Sequence, residues 1–360
     1  MKKFAIIPGT QEDYKDKFFY RLDSNTEFRS EAAREKYIGF TAHGDVIHTI
    51  DMYDDISEPD YYLFFWPDWY WVNKLKEIGT LQRAIYCNAE PPTVIGLNCE
   101  SGYRILRKIF PAILTYNRDW VDNKQIFKRN NPYFFRKYSD NIPWQEKKLI
   151  TGISADKKSR YKYELYSERE RAYRFFETKC ADQFTFYGTR WNKKAYPCYG
   201  GIVEDKADTF HHFKFALCLE NTSQVKDYVT EKMLDCLCAG IVPIYGGAPN
   251  ICDYIPQECF IDYFSFSSLD SLADYLINMN ENVYREYISA AKRWLLSDAV
   301  LSFSYKEYVD SIYFAIDHES AFDLRFSGRF WIKLFSFGMK IKQVFEKVKA
   351  KIKHIILRAL

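Results

Sequence analysis

The sequence predicts an α/β protein with two domains, each built on a parallel sheet, that face each other across a cleft. Short apolar runs alternate with helical stretches in both halves of the chain, which is typical of βαβ units. A polar, aromatic stretch with two prolines, residues 130–148, separates the halves and is typical of a linker. With 360 residues the chain is long enough for two domains. We assign the domains to residues 1–147 and 148–328, and a tail to residues 329–360.

The strands are predicted from short apolar runs, and the helices from the stretches between them. In the first half, strands are expected at residues 4–7, 46–50, 61–66, 83–87 and 112–115, and helices at 29–37 and 72–79. In the second half, strands are expected at 148–154, 184–187, 215–219 and 241–245, and helices at 164–179 and from about 228 to 239.

The most informative segment is residues 217–262, which predicts one βαβ unit. A buried strand ends in a polar loop, a helix follows and stops at Gly240, and a second strand breaks at a pair of glycines. Ligands of such units bind where strands end and helices begin. Glu231 and Lys232 lie in the first turn of the helix, where unpaired N–H groups already favour an anion. A lysine there indicates a phosphate-bearing ligand, although a solvated helix start is the alternative.

Three strings in this segment resemble a known family. They are ENT at residues 220–222, DYVTEK at 227–232 and AGIVPIYGGAPN at 239–250, and they resemble the signature of the α-1,3-fucosyltransferases of glycosyltransferase family 10. Weaker similarity extends back through residues 186–188, 114–119 and 88–92. The resemblance implies a GT-B fold of two Rossmann-like domains, GDP-fucose as the donor, inversion at the anomeric carbon and no required metal.

A sugar nucleotide needs its diphosphate leaving group stabilised as negative charge develops. The sequence contains no D-x-D motif that could hold a metal for this purpose, so fixed cations near a helix start are the other solution. Lys232 and Arg190 are the candidates. Arg190 follows Gly188 at the end of a strand, where a plain surface arginine is the alternative, but the resemblance implies a phosphate-binding arginine in this region.

The resemblance also assigns residues to the nucleotide-sugar pocket. Asn221, Tyr228, Glu231 and Lys232 match family positions that line this pocket, so we predict that all four bind the donor. Glu231 has several possible roles: it could bind ribose or fucose, or stabilise positive charge on the sugar. No metal or other cofactor is expected.

An inverting transfer needs a base that removes the proton of the acceptor hydroxyl. Glu90 is our candidate because it follows a predicted strand and precedes Pro91-Pro92, which puts its side chain on a stiff loop at a strand's carboxyl end. The family has a Glu-Ser-Pro motif at this point with its proposed base first, and Pro91 replaces the serine here. Glu100 is a nearby alternative.

The tail is basic, whereas the rest of the chain is acidic. Residues 329–360 hold nine Lys or Arg and one Glu, against 42 basic and 47 acidic residues in 1–328. Apolar residues recur in it at helical spacing, at positions 341, 344, 345, 348, 352, 355 and 356. A basic amphipathic helix of this kind, which some bacterial members of the family share, is typical of an anionic membrane surface. A helix packed on the acidic body is the alternative; nucleic-acid binding is disfavoured because isoleucines separate the lysines.

Composition predicts the compartment. The nine cysteines include no CxxC pair, which predicts reduced thiols in a cytosolic protein. The apolar run at residues 4–7 is too short for a signal peptide and favours a first strand. The aromatic share of 18% fits either sugar-stacking clefts or bulky cores. We therefore expect a cytoplasmic protein, peripheral on the inner face of the membrane.

Together with the resemblance, these residues predict a metal-independent, inverting α-1,3-fucosyltransferase. The expected reaction moves fucose from GDP-fucose to a hydroxyl of a glycan acceptor, with the GlcNAc of an N-acetyllactosamine-type unit as the expected site. The expected partners are this donor, the glycan and an anionic membrane contacted through residues 329–360, and no nucleic acid. One alternative keeps the fold and reaction with another nucleotide sugar. The other is a non-catalytic membrane scaffold that binds glycan or nucleotide.

Overall fold

A computed structural model describes residues 1–20, 28–136, 142–318 and 328–339. The strands of the described chain are β1 (Lys3–Ile7), β2 (Val46–Thr49), β3 (Tyr61–Phe64), β4 (Ala84–Cys87), β5 (Ala112–Thr115), β6 (Ile126–Lys128), β7 (Lys148–Ile153), β8 (Phe184–Tyr187), β9 (Phe213–Leu219), β10 (Val242–Gly246) and β11 (Ile261–Asp262). Its helices are α1 (Glu31–Thr41), α2 (Trp69–Glu77), α3 (Glu100–Leu106), α4 (Tyr166–Lys179), α5 (Lys206–His211), α6 (Glu231–Ala239), α7 (Leu269–Asn278), α8 (Glu281–Leu295) and α9 (Tyr305–His318). Residues 328–339 form a further helix.

The strands form two parallel sheets, which confirms the predicted α/β class. The first sheet has the order β2-β1-β3-β4-β5-β6 and the second the order β11-β10-β9-β7-β8. Each sheet is covered on both faces by a separate apolar core. Central strands are therefore apolar without alternation, as in β4 (AIYC) and β5 (AILT), where every residue is buried.

The strand orders locate where a ligand can bind. The direction of winding reverses between β1 and β3 in the first sheet, and between β7 and β9 in the second. Crevices open at the carboxyl ends of strands at such reversals. The two domains face each other with these ends, so that the crevices combine into one cleft.

Helix α9 returns from the second domain to the first. Its residues Tyr308, Val309 and Ile312 are buried in the same core as Phe4 and Phe40. This helix falls within the second domain predicted for residues 148–328, whereas the structure packs it on the first sheet. Its apolar face is as compatible with one sheet as with the other, so periodicity alone does not choose between them.

The described part of the tail also packs on the first domain. Ile332 is fully buried in its core, and the ring of Phe335 stacks on Trp69 with centroids 4.4 Å apart. The predicted amphipathic stripe from residue 341 onward lies outside the described residues. In the described ranges, none of the helices combines the length and the apolar character needed to cross a bilayer.

A charged contact joins the two domains. Arg118, which follows β5, donates from Nε to Asp227 Oδ1 at 2.7 Å, and Asp227 precedes α6 with a fully buried side chain. Asn250 and Tyr254 donate to the same carboxylate at 2.8 and 2.7 Å. Burial alone would raise the pKa of Asp227, but these hydrogen bonds, led by that of Arg118, lower it to about 2. The contact fixes the segment that leads into α6 against the first domain.

Candidate functional site

A cavity of about 560 Å³ lies between the carboxyl ends of the two sheets. From the first domain it is lined by residues that follow strands, namely Phe65 after β3, Glu90 after β4 and Arg129 after β6. From the second domain it is lined by Ser154 after β7, Gly188 after β8 and Asn221 after β9. Parallel sheets thus bring residues that are distant in sequence to one site.

Five of the six predicted site residues line this cavity. They are Glu90, Asn221, Tyr228, Glu231 and Lys232. Arg190 is exposed and lies outside the lining, directly after Thr189, which belongs to it. The structure therefore brings the predicted base and four predicted donor-binding residues together, and leaves Arg190 at the margin.

The turn that carries Arg190 has an unusual backbone. Gly188 has φ 132°, and a Cβ there would lie 1.8 Å from the carbonyl oxygen of Ser154. Only glycine fits such a close approach. Arg190 itself has φ 71°, in the left-handed region that non-glycine residues rarely adopt. The chain therefore turns sharply after β8, and this turn sets the direction of the arginine.

Helix α6 begins three residues later than predicted. Thr230 is its N-cap, with Oγ1 accepting a hydrogen bond from the N–H of Lys232 at 3.4 Å, so Glu231 is the first helical residue. Asp227 has φ 61°, which excludes it and its neighbours from the helix. The end of the helix at Gly240 is confirmed, because this glycine adopts the left-handed conformation with φ 67°.

Lys232 is held from beneath by a buried carboxylate. Its Nζ lies 3.3 Å from Oε2 of Glu220, whose side chain has no exposed surface, and 3.6 Å from Oε1 of Glu231. Thr230 completes the arrangement by donating its backbone N–H to Glu220 at 2.9 Å. Burial alone would lower the pKa of Lys232, but Glu231 and Glu220 raise it above its ordinary value. The site therefore contains a lysine that stays positively charged.

Glu231 keeps its negative charge for a related reason. Burial acts to raise its pKa, but Lys232 and Lys206 outweigh this and lower it to about 2. Half of its side chain is exposed in the cavity. A permanently charged carboxylate thus stands beside a permanently charged lysine in the first turn of α6.

Asn221 and Tyr228 form the wall next to this pair. The Asn221 side-chain amide donates to the Tyr228 hydroxyl at 3.3 Å. The Tyr228 ring packs against Tyr116 of the first domain with centroids 5.2 Å apart. Tyr228 is almost fully buried, and burial raises the pKa of its hydroxyl. It acts as a neutral donor or acceptor at the domain boundary.

Sequence reasoning missed Arg169 and the role of Glu220. Arg169 is buried, lines the cavity and donates to the carbonyl oxygens of Leu219 and Glu220 at 2.7 and 3.0 Å. It fixes the end of β9 on which the Lys232 arrangement rests. A signal existed, because Arg169 shares the buried face of α4 with Tyr166 and Tyr173 at helical spacing.

Glu90 lies on a loop that buried amides hold in place. Its carbonyl oxygen accepts from the Asn98 side chain at 2.7 Å, and the same amide donates to Asn88 at 2.6 Å. Pro91 is buried and opens a helical turn, accepting from the N–H of Val94 at 2.9 Å. The proline that replaces the family's serine is therefore part of an ordered turn.

The pKa of the Glu90 carboxyl group is influenced by charged groups of the second domain. Burial raises its pKa, Lys232 and Lys157 lower it, and Glu231 and Glu220 raise it, with a net increase. An elevated pKa brings a carboxylate closer to the strength required of a base near neutral pH. The alternative, Glu100, is 71% exposed, pairs with Arg104 at 2.6 Å and does not line the cavity.

Gly246 and Gly247, at the end of β10, allow close packing against the protein's own side chains. Gly247 does not line the cavity; a Cβ there would lie 2.4 Å from the Tyr245 hydroxyl and 2.7 Å from Cγ of Glu220. It leaves room for the buried carboxylate beneath Lys232. The close backbone approach is thus to the protein's own side chains.

All nine cysteines are free thiols. Within the described ranges, no three or more His, Cys, Asp or Glu side chains are grouped so that they could hold a metal ion.

Comparison with known proteins shows that the second domain is similar to a known family. Residues 151–309 match the model of glycosyltransferase family 10 (fucosyltransferase), C-terminal part. An α-(1,4)-fucosyltransferase of Arabidopsis thaliana is 44% identical over 78 residues, which cover 21% of this chain and 19% of the plant protein. The mouse 4-galactosyl-N-acetylglucosaminide 3-α-L-fucosyltransferase 9 is 29% identical over 220 residues, covering 59% of this chain and 54% of the mouse protein. The matches thus span about half the length of these relatives at most.

Solved structures extend the likeness to both domains. The crystal structure of an α1,3-fucosyltransferase superposes with a TM-score of 0.57, covering 90% of this chain and 92% of its own, at 13% sequence identity. The same kind of enzyme crystallised with GDP-fucose gives a TM-score of 0.52 at 13% identity. At this identity the likeness concerns the fold alone, and it confirms the predicted GT-B architecture.

Proposed function

We propose that this protein, whose residues 151–309 belong to the C-terminal domain of glycosyltransferase family 10, moves fucose from GDP-fucose to a glycan acceptor. One observation carries the proposal: Glu90 of the first domain shares a single cavity with Glu231 and Lys232 of the second. A transferase needs a base on the acceptor side and cations on the donor side, and this cavity has both.

In the proposed reaction, Glu90 removes the proton of an acceptor hydroxyl while that oxygen attacks the anomeric carbon of fucose. The bond from this carbon to the diphosphate oxygen breaks on the opposite face, so the configuration is inverted. GDP leaves with the bonding electrons, and Lys232 and the first N–H groups of α6 stabilise its new negative charge. No metal takes part in these proposed steps, so we expect full activity in the presence of a metal chelator.

The remaining residues bind and orient the donor. Asn221 and Tyr228 supply hydrogen-bonding groups to the nucleotide or sugar hydroxyls. Glu231, which keeps its charge, either accepts hydrogen bonds from fucose or ribose or stabilises positive charge that develops on the sugar ring. As the acceptor we propose a 4-galactosyl-N-acetylglucosamine-type unit, supported by the activity that the name of the mouse relative describes.

The test is transfer from GDP-fucose to a glycan array, with products identified by mass and the anomeric configuration determined by NMR. We expect an α-linked fucose on GlcNAc-containing glycans, with the same rate in EDTA. Consumption of a different nucleotide sugar in a donor panel would favour the alternative donor. Tight GDP binding without turnover on any glycan would favour the non-catalytic scaffold.

We also propose that the tail attaches the protein to an anionic membrane surface on the cytoplasmic side. In the helix of residues 328–339, Phe330, Leu334 and Phe337 are 52%, 45% and 63% exposed, although the opposite face packs on the first domain. Their spacing of four and three residues continues in the sequence with the apolar positions 341, 344 and 348. Exposed aromatic residues followed by a basic amphipathic stretch suit a membrane interface.

Vesicle pelleting tests this attachment. Full-length protein is expected to sediment with phosphatidylserine-containing vesicles and much less with phosphatidylcholine alone, because each basic residue near an anionic surface contributes ~1 kcal/mol. The double variant Phe330→Ser, Phe337→Ser should weaken sedimentation. Leu301→Ser, at a site 57% exposed on the second domain, is the matched control. Equal sedimentation of the double variant and the control would remove the proposed role of this face.

A further inference from the structure

Two cations on the first domain's side of the cavity have no use in the donor chemistry described above. Lys36 lies on α1 and Arg129 follows β6, and both line the cavity. Neither belongs to the motifs that resemble the family. In the described part of the chain, neither forms an ion pair with a carboxylate.

Lys36 is held by aromatic rings. Its ammonium nitrogen lies 4.5 Å from the ring centre of Phe18 and 5.1 Å from that of Phe65, and these two rings stack 5.6 Å apart. Such cation–π contacts orient an ammonium group but offset only part of the cost of removing its charge from water. The geometry therefore fixes a cation at the cavity wall and leaves its charge unbalanced.

Arg129 is the more buried of the two. Only 3% of the residue is exposed, its guanidinium lies 5.1 Å from the ring centre of Tyr308, and one nitrogen donates to the Asn131 side chain. Its Nε has no hydrogen-bond partner. A buried guanidinium without a carboxylate partner is uncommon in folded proteins, and its charge can be balanced by an anion that binds in the cavity.

The two cations act on each other. Burial and then Arg129 lower the pKa of Lys36 to about 8. Burial raises the pKa of Cys87, the last residue of β4, and both cations act to lower it. Cys87 precedes Glu90 by three positions. The two cations and the proposed base, Glu90, line the same cavity.

We propose that Lys36 and Arg129 bind an anionic group, a carboxylate or phosphate, on the acceptor glycan while its reacting hydroxyl faces Glu90. Guanidinium and ammonium groups are the protein's usual partners for these anions. This inference rests on the proposed function of the same cavity and adds the class of acceptor. It predicts that acidic glycans are preferred over their neutral counterparts.

Three acceptors that differ at one carbon test the proposal. They are N-acetyllactosamine and its analogues in which C6 of the terminal galactose is a carboxylate or a phosphate ester. We expect at least one charged acceptor to exceed the neutral one at least tenfold in kcat/KM, through a lower KM. The better of the two charged acceptors identifies the anion. Equal or better use of the neutral acceptor than of both charged ones would overturn the proposal.

Variants assign the preference to these residues. Lys36→Gln should abolish most of the preference while leaving the KM for GDP-fucose and the rate with the neutral acceptor unchanged, and Lys36→Arg should restore it. Arg34→Gln, which removes a half-exposed cation from the same helix, is the matched control. A rise in the KM for GDP-fucose as large as the rise for the charged acceptor would assign Lys36 to the donor and overturn the proposal.

Failure of the proposed function can be distinguished from failure of this inference. Arg129→Gln removes a buried group and can prevent folding, so the conclusions depend on Lys36. If no fucose is transferred to any acceptor, binding of the three glycans to the full-length protein is measured by NMR titration, with Lys36→Gln alongside. Tighter binding of a charged glycan that Lys36→Gln removes supports the anion site without the reaction, and equal binding of all three overturns it.

Discussion

Two lysines line the same cavity, yet their pKa values move in opposite directions. Burial favours the neutral form of both. Lys36, whose ammonium group contacts aromatic rings and has the like charge of Arg129 nearby, follows this tendency, and its pKa falls to about 8. Lys232 has Glu220 and Glu231 beside it, and its pKa rises instead. Lys232 is balanced before any ligand arrives, whereas Lys36 and Arg129 are not. A balanced cation keeps a fixed position and charge, which suits catalysis, and an unbalanced one favours the binding of an anion.

The largest effect is expected at Glu90, which lies in the first domain and has a pKa that is influenced by charged groups of the second. Glu90→Gln should lower kcat about 10³-fold with little change in the KM for GDP-fucose, because general-base catalysis contributes ~10²–10⁴-fold. Steady-state kinetics with both substrates measures this. Glu100→Gln, which neutralises an exposed carboxylate nearby, should behave as wild type.

The pH profile gives a second view of the same residue. A base acts only when it is deprotonated, and burial raises the pKa of Glu90. The rate should therefore fall on the acidic side at a higher pH than an ordinary glutamate would give, and Glu90→Gln should abolish that limb. A variant that keeps the acidic limb and most of the rate would assign the base to another residue.

Removal of the balanced cation comes next. Lys232→Met should lower kcat with GDP-fucose by ~10²–10³-fold, because it removes a fixed charge that stabilises the leaving diphosphate. Lys193→Met, at an exposed lysine of the same domain, is the control. Lys36→Met should leave turnover of a neutral acceptor intact. Equal losses of kcat in Lys232→Met and Lys36→Met would remove the distinction between the balanced cation of the second domain and the unbalanced cations of the first.

The contact that holds the walls together should matter for stability. Arg118→Ala leaves the Asp227 carboxylate buried without its main partner and should reduce the free energy of unfolding at neutral pH by ~2 kcal/mol. Since the pKa of Asp227 is lowered from 3.8 to about 2, the wild-type stabilisation is complete above pH 4 and disappears towards pH 2. The variant should lack this part of the acid dependence.

Chemical denaturation at several pH values measures both effects. Arg107→Ala breaks an exposed pair with Asp122, 2.9 Å apart, and is expected to cost ~0.5 kcal/mol or less. If Arg118→Ala is no less stable than this control, the interdomain contact does not hold the two walls in place.

Local patterns predicted most of the fold. Every strand expected from an apolar run is present, within two residues at each end, because parallel strands covered on both faces are uninterrupted apolar segments. The short strands β6 and β11 gave no comparable run. The packing of α9 on the first sheet depends on contacts across more than 200 residues, and local periodicity carries no information about them.

The site divides in the same way. Glu231 and Lys232 were predictable because a helix start and a recognised motif fall on the same residues. Glu220 is buried beneath Lys232, twelve positions away in sequence, and only the tertiary fold brings the two side chains into contact. Lys36 and Arg129 lie 93 positions apart and come to the same cavity only through the tertiary fold. What the sequence lacks is the set of partners that decides whether a charge is balanced.

The smallest effect is expected at Arg190, which lies outside the cavity lining. Its guanidinium is exposed just beyond Gly188 and Thr189, so it can reach a bound diphosphate only from the margin of the cavity. A charge acting from there is partly screened, and Arg190→Ala should raise the KM for GDP-fucose about tenfold, the equivalent of ~1.4 kcal/mol, with kcat nearly unchanged. A loss of kcat as large as that of Lys232→Met would show that the turn after β8 moves inward when the donor binds, and that the donor wall gains a cation only then.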